Sequence, residues 1–362
     1  MKFKPLFKKE IKRPIVIAGP CSAETEEQVM KTAKALVKQK VDLFRSGIWK
    51  PRTRPNSFEG VGTEGLKWLR RVKEETGLKT TTEVANAKHV YETLKFGIDV
   101  LWIGARTTVN PFSVQEIANA LEGVDVPVLI KNPINPDLNL WIGAIERIYK
   151  AGIRRIGVVH RGFSSFGDTK YRNTPQWQIP IELMRRFPDL TFICDNSHIC
   201  GRREILQSIA QKAMDLNFHG IMTEVHPDPD NAWSDAKQQI TPRTFETLVK
   251  GLVLRKVTSN DEDFLENIED MRRQIDQIDN DLLHLLGKRM QIADNIGLYK
   301  KKKNISILQP TRWNEILEHA AKEGAKKGLS KEFISVILKA IHQESINHQE
   351  KVMNQNNSQG SR

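Results

Sequence analysis

The sequence predicts an α/β fold, a closed (β/α)8 barrel of the TIM type, followed by a smaller all-α domain of three helices. Eight short β-branched or apolar runs alternate with helical patterns, at about 25–35 residues per unit, which fits a barrel of about 250 residues. After about residue 265 the apolar residues keep helical spacing to about residue 352, and no strand pattern occurs. The barrel is therefore expected to come first and the helical domain second.

Each predicted strand leads into a residue that can do chemistry. The runs and the residues that follow them are 14–20 and Cys21, 41–44 and Arg45, 78–82 and Glu83, 98–105 and Arg106, 126–130 and Lys131, 155–160 and Arg161, 190–195 and His198, and 220–223 and Glu224. In a parallel barrel all strand C-termini open on one face, so these side chains are expected to converge there.

Helical patterns fill the intervals between the strands. They cover 26–39, 63–76, 87–96, 113–121, 140–151, 177–187, 202–216 and 243–255. An open doubly wound sheet is the alternative, but it would need a glycine-rich phosphate-binding turn after the first strand. The sequence Gly-Pro-Cys-Ser at 19–22 is not such a turn.

Composition divides the chain into four segments. We expect a barrel domain at 1–255, a linker at 256–268 around a polar run, a helical domain at 269–352 and a disordered polar tail at 353–362. The helices of the second domain are expected at about 265–302, 309–326 and 330–352, with Ser330 as an N-cap. Its first helix is the long one.

Bulk properties narrow the class of protein. Of the 362 residues 39% are apolar, and no run approaches the roughly 20 apolar residues that span a bilayer. The charged N-terminus does not resemble a signal peptide, and three cysteines form no disulfide framework, so we expect a cytoplasmic protein without a membrane partner. The net charge of +12 could indicate nucleic acid, but the charges are interspersed and no zinc-finger or helix-turn-helix spacing occurs. Anionic small molecules are the expected partners.

Four residues at or just beyond the strand ends predict a metal site. They are Cys21, His198, Glu224 and Asp235. A thiolate, an imidazole and two carboxylates suit one first-row divalent ion, with Mn, Fe, Zn or Co as candidates.

A second group at the barrel mouth is cationic. It comprises Arg45, Lys50, Arg52, Arg106, Lys131 and Arg161. Such charges repel each other unless anions compensate them, and arginine forks match phosphate and carboxylate groups. The sequence therefore predicts metal-assisted carbon–carbon or phosphate chemistry on small phosphorylated acids.

Five motifs resemble type I 3-deoxy-D-arabino-heptulosonate 7-phosphate (DAHP) synthase of the short microbial subfamily. They lie at 19–22, 50–53, 103–107, 195–198 and 234–235, and the resemblance covers roughly 1–255. A sister family that makes an eight-carbon sugar phosphate has Lys-Ala-Asn-Arg where this chain has Lys-Pro-Arg-Thr at 50–53. The difference favours erythrose 4-phosphate over arabinose 5-phosphate as the acceptor.

The resemblance implies a role for each residue of the mouth. Phosphoenolpyruvate would be bound by Arg45, Lys50, Arg106, Lys131 and Arg161. Arg52 and Thr53 would meet the phosphate of erythrose 4-phosphate, and Lys50 would handle the proton. The metal on Cys21 and the other three ligands would polarise the aldehyde. A Schiff base on Lys131 is the alternative mechanism.

Residues 269–279 and 282–289 resemble the opening helix of an all-helical chorismate mutase, and the match continues to about residue 350. It implies a substrate site formed by Arg272, Arg289, Lys300, Arg312, Ser345 and Gln349. The arginines would hold carboxylates, while Lys300 and Gln349 would face the ether oxygen. One departure is Trp313, which stands where that family usually has an acid that contacts the substrate hydroxyl.

Helix geometry indicates an oligomer. Arg272 and Arg289 are about 25 Å apart along one straight helix, so a single chorismate cannot reach both. If both serve one site, one comes from a partner subunit, as in an intertwined homodimer. We therefore expect a bifunctional enzyme acting on phosphoenolpyruvate, erythrose 4-phosphate and chorismate, with feedback by prephenate or chorismate. Alternatively, the barrel uses another aldose phosphate and the helices form a non-catalytic sensor or dimerisation module.

Overall fold

The chain forms two compact units, Met1–Val257 and Thr258–Arg362. The first unit is α/β and the second is helical, which confirms the predicted fold class. The computed structural model describes residues 1–7, 14–51, 57–167, 169–256 and 258–354.

The strands of the first unit close into a parallel barrel. They are β1 (Ile15–Gly19), β2 (Leu43–Arg45), β3 (Thr80–Val84), β4 (Val100–Ile103), β5 (Val128–Lys131), β6 (Ile156–His160), β7 (Thr191–Asp195) and β8 (Gly220–Glu224). Among the described residues each strand pairs with its sequence neighbours, and β1 pairs with β8 from Ile15↔Gly220 to Gly19↔Glu224. All eight predicted strands are confirmed.

Helices surround the barrel. They are α1 (Glu26–Val37), α2 (Glu64–Thr76), α3 (Ala87–Lys95), α4 (Ala105–Thr108), α5 (Pro111–Ala120), α6 (Leu138–Lys150), α7 (Gln178–Arg186), α8 (Asn196–Cys200), α9 (Leu206–Asp215) and α10 (Pro242–Lys250). Thr25, Asn110 and Asp137 begin α1, α5 and α6, because each side chain accepts hydrogen bonds from the first-turn N–H groups. The short helices α4 and α8 were not predicted, and they carry Arg106 and His198 directly beyond β4 and β7.

The barrel interior has an apolar half and a polar half. The apolar half contains a cluster that includes Ile17, Leu43, Val100, Leu129 and Met222. Side chains alternate along each strand, so the other residues of the strands pack against the helices in a second, larger core. The charged residues of the strands lie at or next to the strand C-termini, where the candidate site lies: Arg45, Glu83, Lys131, Asp195 and Glu224.

The second unit consists of α11 (Glu262–Lys302), α12 (Pro310–Lys326) and α13 (Lys331–Asn354). Helix α11 begins inside the segment expected as a linker, because the Asp261 carboxylate accepts a hydrogen bond from Phe264 N (3.0 Å) and caps it. Ser330 caps α13 through Phe333 N (3.2 Å), as predicted. Helix α13 extends two residues into the expected tail, and residues 355–362 of that tail lie outside the described part.

The helical unit exposes many large apolar side chains. Ile278, Leu283 and Leu285 of α11 are 64%, 66% and 61% exposed, and Val336 of α13 is 68% exposed. An apolar surface of this kind usually marks an interface. Within the described part of the chain, no helix has both the length and the apolar character that crossing a bilayer requires.

Candidate active sites

Cys21 and Lys50 meet at the barrel mouth. Lys50 Nζ donates to Cys21 Sγ (2.9 Å) and to Cys21 O (3.1 Å). Gly47 permits this approach, because a Cβ there would lie 2.7 Å from Cys21 O and 3.0 Å from Lys50 Cδ. The thiol and the ammonium group are thus held in contact by a position that accepts only glycine without displacement.

Three of the four predicted metal ligands form one cluster. The ligand atoms of Cys21, Glu224 and Asp235 lie within 4.8 Å of one another. Cys21 Sγ is 3.2 Å from Asp235 Oδ2. His198 lies beside the cluster, with Nε2 3.7 Å from Glu224 Oε1. The structure therefore brings together residues that are up to 214 positions apart in the sequence.

Hydrogen bonds connect the two loops that supply this cluster, the loop after β1 and the loop after β8. The Cys21 amide donates to Gln239 Oε1 (3.0 Å), and the Gln239 side chain donates to Ser234 O (2.8 Å). The hydroxyls of Ser22 and Ser234 are 2.6 Å apart. These contacts tie the loop after β8, which carries Asp235, to the loop after β1, which carries Cys21.

The donor set fits a divalent metal ion. Glu224 is fully buried, and its Oε1 receives no hydrogen bond from any described residue, although Arg45 forms an ion pair with it at 3.2 Å. Burial, followed by the charge of Glu224, raises the pKa of the Cys21 thiol to about 12. A buried carboxylate oxygen without a donor, beside a sulfur and an imidazole, matches the ligand preferences of first-row ions.

Asp195 orients His198. The Asp195 carboxylate lies 3.0 Å (Oδ1) and 2.9 Å (Oδ2) from His198 Nδ1, which leaves Nε2 on the side of Glu224. Burial lowers the pKa of His198, although the negative charges of Asp195 and Glu224 act in the opposite direction. The imidazole is therefore neutral at neutral pH, as metal ligation requires. Burial would raise the pKa of Asp195, but His198 and Lys131 hold it well below its usual value.

Three predicted cations line the interior of the mouth. Arg45 lies over the ring of Trp102 (5.0 Å to the centroid), and its Nε and one NH group have no hydrogen-bond partner among the described residues. Lys131 Nζ is 2.9 Å from Asp195 Oδ2. Burial lowers the pKa of Arg161 to about 10, and this guanidinium donates to the neutral Asn173 Oδ1 (2.7 Å). The unpartnered N–H groups of the buried Arg45 guanidinium favour an anionic ligand.

A cleft connects the cations with the candidate metal ligands. It is lined by Lys50, Pro51, Glu83, Ala105, Arg106, Lys131, Arg161, Arg172, His198 and Asp235. Arg106 therefore faces the same space as predicted. Arg52 and Thr53, expected to bind the second phosphate, lie outside the described residues.

Sequence reasoning missed several residues of this site. Arg172 NH1 lies 2.9 Å from Asp235 Oδ1 and donates to Gln238 Oε1 (2.6 Å), while Gln238 Nε2 donates to Glu224 Oε2 (2.7 Å). Glu83, which accepts from Trp102 Nε1 (2.9 Å), was predicted at the mouth but given no role. No spacing pattern could have identified Arg172 or Gln238, because both lie on loops that only the closed barrel brings together.

The helical unit brings together part of the second predicted site. Arg289 of α11 donates to Ser345 Oγ of α13. Gln349 is buried one turn further, and Gly297 permits its approach, since a Cβ there would lie 3.0 Å from Gln349 Cα. Lys300 Nζ donates to Ile307 O, and burial lowers the pKa of this lysine.

Two predicted arginines of the helical unit are exposed and form local ion pairs. Arg272 NH1 is 3.5 Å from Glu269, and Arg312 NH1 is 2.9 Å from Glu315. Arg272 lies near the start of the same long helix that carries Arg289. One chain therefore does not bring Arg272 to the Arg289–Ser345 contact.

Comparison with known proteins agrees with both halves of the chain. Residues 8–258 match the family model of the DAHP synthetase I family, and residues 271–350 match that of chorismate mutase type II. The phospho-2-dehydro-3-deoxyheptonate aldolase of Thermotoga maritima is 33% identical over 235 residues, which cover 65% of this chain and 68% of that protein.

A sister activity also occurs among the relatives. The 2-dehydro-3-deoxyphosphooctonate aldolase of Wolinella succinogenes is 29% identical, over 66% of this chain and 98% of that protein. The crystal structure of the Thermotoga maritima DAHP synthase aligns with a TM-score of 0.62 and 30% identity, over 69% of this chain and 72% of that one. The chain therefore belongs to the DAHP synthetase I family and carries, after its barrel, a chorismate mutase type II domain.

Proposed function

We propose that the barrel condenses phosphoenolpyruvate with erythrose 4-phosphate to give DAHP and phosphate, the first step of the shikimate pathway. The observation that carries this proposal is the cleft in which a thiol, an imidazole and two carboxylates adjoin buried guanidinium groups. Release of phosphate from the two substrates tests it. Replacing erythrose 4-phosphate by arabinose 5-phosphate tests the alternative acceptor. This alternative is retained because 2-dehydro-3-deoxyphosphooctonate aldolases are among the relatives.

The cations divide between the two substrates. Arg45, Arg161 and Lys131 lie deepest and would bind the phosphate and carboxylate of phosphoenolpyruvate, with Arg106 at the edge of the cleft. The unpaired N–H groups of Arg45 support this role, because a buried guanidinium is stabilised by a bidentate anion. Arg52 and Thr53 remain the proposed ligands of the erythrose 4-phosphate phosphate group.

One divalent metal ion would be held by Cys21, His198, Glu224 and Asp235, and would supply Lewis-acid polarisation of the aldehyde carbonyl. The orphaned oxygen of Glu224 and the neutral His198 support this assignment. Asp195 and Arg172 would orient the ligands, because they contact His198 and Asp235.

Carbon 3 of phosphoenolpyruvate attacks the aldehyde carbon and forms the new C–C bond. Lys50 donates a proton to the aldehyde oxygen, which becomes a hydroxyl group. Water then adds at carbon 2, and the C2–O bond to phosphate breaks, so that the products are DAHP and inorganic phosphate. Most of the rate comes from holding two anions together opposite fixed positive charge.

A Schiff base on Lys131 is the rival mechanism. Such a lysine must lose its proton to act as a nucleophile. Lys131 Nζ is held by the buried carboxylate of Asp195 at 2.9 Å, so it is engaged in an ion pair and is not directed at a substrate carbonyl. We therefore retain Lys131 as a substrate ligand, and trapping with borohydride in the presence of substrate tests the rival.

We propose that the helical unit converts chorismate to prephenate. This rearrangement needs no acid, base or nucleophile, only a folded diacid and donors at the breaking ether oxygen. Arg289 and Arg312 would hold carboxylates, and Lys300 and Gln349 would face the ether oxygen. The Arg289–Ser345 contact and the burial of Gln349 support this site.

The mutase site would be completed by a second copy of the chain. Arg272 cannot reach Arg289 within one helix, and the exposed apolar residues of α11 and α13 offer an interface. An intertwined homodimer supplies Arg272 from the partner subunit to each site. Sedimentation equilibrium of the full chain tests this assembly.

Feedback control would join the two activities. Chorismate or prephenate bound to the helices would restrain the barrel, and the fusion of both domains in one chain supports this proposal. The second candidate is a helical unit that senses or dimerises without catalysis. Trp313 at the position of the usual acid favours that candidate, and an assay of chorismate turnover separates the two.

A further inference from the structure

Trp313 and His342 form a stacked pair in the helical unit. Their ring centroids are 4.0 Å apart and their planes differ by 11°. Trp313 lies on α12 and His342 on α13, so the stack fixes the imidazole plane between two helices. The ring nitrogens lie in that plane, and face-to-face stacking leaves them available for hydrogen bonds at the edge.

His342 belongs to the face of α13 that carries the candidate mutase residues. Ser345 and Gln349 follow it at i+3 and i+7 and therefore lie on the same side of the helix. Ser345 Oγ accepts a hydrogen bond from Arg289, so His342 lies one helical turn from this contact. The imidazole is thus placed beside the proposed binding site for chorismate.

The imidazole has an unused nitrogen. Nε2 of His342 is shielded from solvent and has no hydrogen-bond partner among the residues described. Burial, followed by the positive charges of Arg289 and Lys300, lowers the pKa of His342, so the ring is neutral at neutral pH. A buried polar atom without a partner is unfavourable, and a bound ligand would satisfy it.

We propose that His342, held in place by Trp313, is a substrate-contacting residue whose Nε2 forms a hydrogen bond with the ring hydroxyl of the bound cyclic diacid. The inference rests on the proposed mutase function. Arg289 and Lys300 are charged donors for carboxylate and ether oxygens, whereas a neutral imidazole suits a neutral hydroxyl. The indole of Trp313 has no acceptor atom and cannot bind the hydroxyl proton itself.

The test combines a side-chain change with a substrate change in the full-length chain. His342→Leu is expected to lower kcat/KM for chorismate about tenfold, the typical effect of one lost hydrogen bond. With a chorismate analogue that lacks the ring hydroxyl, the same substitution is expected to change kcat/KM less than about twofold, since the partner is already gone. His342→Gln keeps donor and acceptor atoms and should recover most of the loss.

Two controls separate contact from structure. His348→Leu removes another histidine of α13, which is paired with Asp294 at 2.9 Å, and should leave discrimination between the two substrates unchanged. Trp313→Leu removes the stack and should reproduce part of the His342→Leu effect, whereas Trp313→Phe should not. Thermal melting of each variant excludes unfolding as the cause.

The possible outcomes bear differently on the two claims. If His342→Leu lowers kcat/KM equally for both substrates, or does not lower it at all, the assignment of His342 is overturned. The mutase function itself is still supported in that case, provided that the unmodified chain converts chorismate. If the unmodified chain neither binds chorismate in calorimetry nor rearranges it, the proposed mutase function fails, and the role of His342 fails with it.

Discussion

Lys50 Nζ lies 2.9 Å from Cys21 Sγ, so the proposed proton donor of the barrel is in contact with a proposed metal ligand. Burial alone would lower the pKa of Lys50, but Cys21, Glu224 and Asp235 raise it above its usual value. The ammonium group is therefore charged at neutral pH. In the proposed mechanism, this contact would place substrate activation and proton supply at one point of the cleft.

Substituting Lys50 is expected to slow the chemical step. Lys50→Met keeps most of the side-chain volume but removes the proton, and we expect kcat to fall about 10²- to 10⁴-fold. Initial rates of phosphate release measure the effect. Lys67→Met, which removes an exposed lysine paired with Glu64 at 2.7 Å, is the matched control. A Lys50→Met enzyme with kcat within a factor of about three of the parent would exclude Lys50 as the donor.

Metal affinity should rise with pH because of Cys21. Its pKa is raised to about 12, so the thiol is protonated in the metal-free protein at neutral pH. Binding of a divalent ion to the thiolate then releases one proton, and the association constant should increase about tenfold per pH unit. Competition with a chelator between pH 6 and 8 measures the slope. Cys21→Ser should bind more weakly, and a flat profile in the parent would contradict ligation by the thiolate.

Asp195 should stabilise the barrel at neutral pH and lose this effect in acid. Its pKa is held well below its usual value of about 3.9, so its contribution is present above that value and is lost as pH falls below it. Asp195→Asn leaves Lys131 without its buried partner, and we expect about 3 kcal/mol less stability at pH 7. Urea unfolding at pH 7 and pH 3.5 measures this. Asp125→Asn, at an exposed ion pair with Arg155, should cost less than about 1 kcal/mol.

If the parent and the Asp195→Asn variant are equally stable at pH 7, the charge of Asp195 does not stabilise the folded state. The difference between them should shrink as the pH is lowered, since protonation of Asp195 makes the parent resemble the variant. A difference that grows in acid would have the wrong sign.

Arg289 should be required for mutase turnover. Arg289→Ala removes the guanidinium that contacts Ser345, and we expect kcat/KM for chorismate to fall at least about 10²-fold, as for loss of a charged donor. Arg273→Ala is the control, because Arg273 is exposed and pairs with Asp270 on its own helix. Phosphate release by the barrel should be unchanged in both variants. Equal mutase activity in the two would assign catalysis elsewhere.

Removing the helices tests feedback. A chain truncated after residue 256 retains all the described strands and helices of the barrel unit, and we expect it to keep phosphate release but lose sensitivity to prephenate. Inhibition curves with and without prephenate measure this. Persistent inhibition of the truncated chain would place the effector site on the barrel.

The sequence predicts the barrel well because alternation of strands and helices is a local pattern. Each predicted strand run leads into a residue that can do chemistry, and barrel closure then places Cys21 Sγ 3.2 Å from Asp235 Oδ2 without any spacing motif. The helical unit was likewise predictable from periodicity. The start of this unit was harder to predict than its helices. Asp261 caps α11 within a polar segment whose composition is typical of a linker.

Contacts between loops could not be predicted. Arg172 and Gln238 contact the proposed ligands Asp235 and Glu224 through side chains that only tertiary placement brings together. The pairing of Trp313 with His342 joins two helices and has no signature within either one. The positions of Arg52 and Thr53 stay predictions.

Phosphate release by the purified full-length chain, with phosphoenolpyruvate and erythrose 4-phosphate, tests the metal-assisted condensation most directly. We expect release in the presence of Mn²⁺, its loss after treatment with EDTA, and its recovery when Mn²⁺ is restored. Undiminished release after complete removal of metal, together with borohydride trapping on Lys131, would contradict the account.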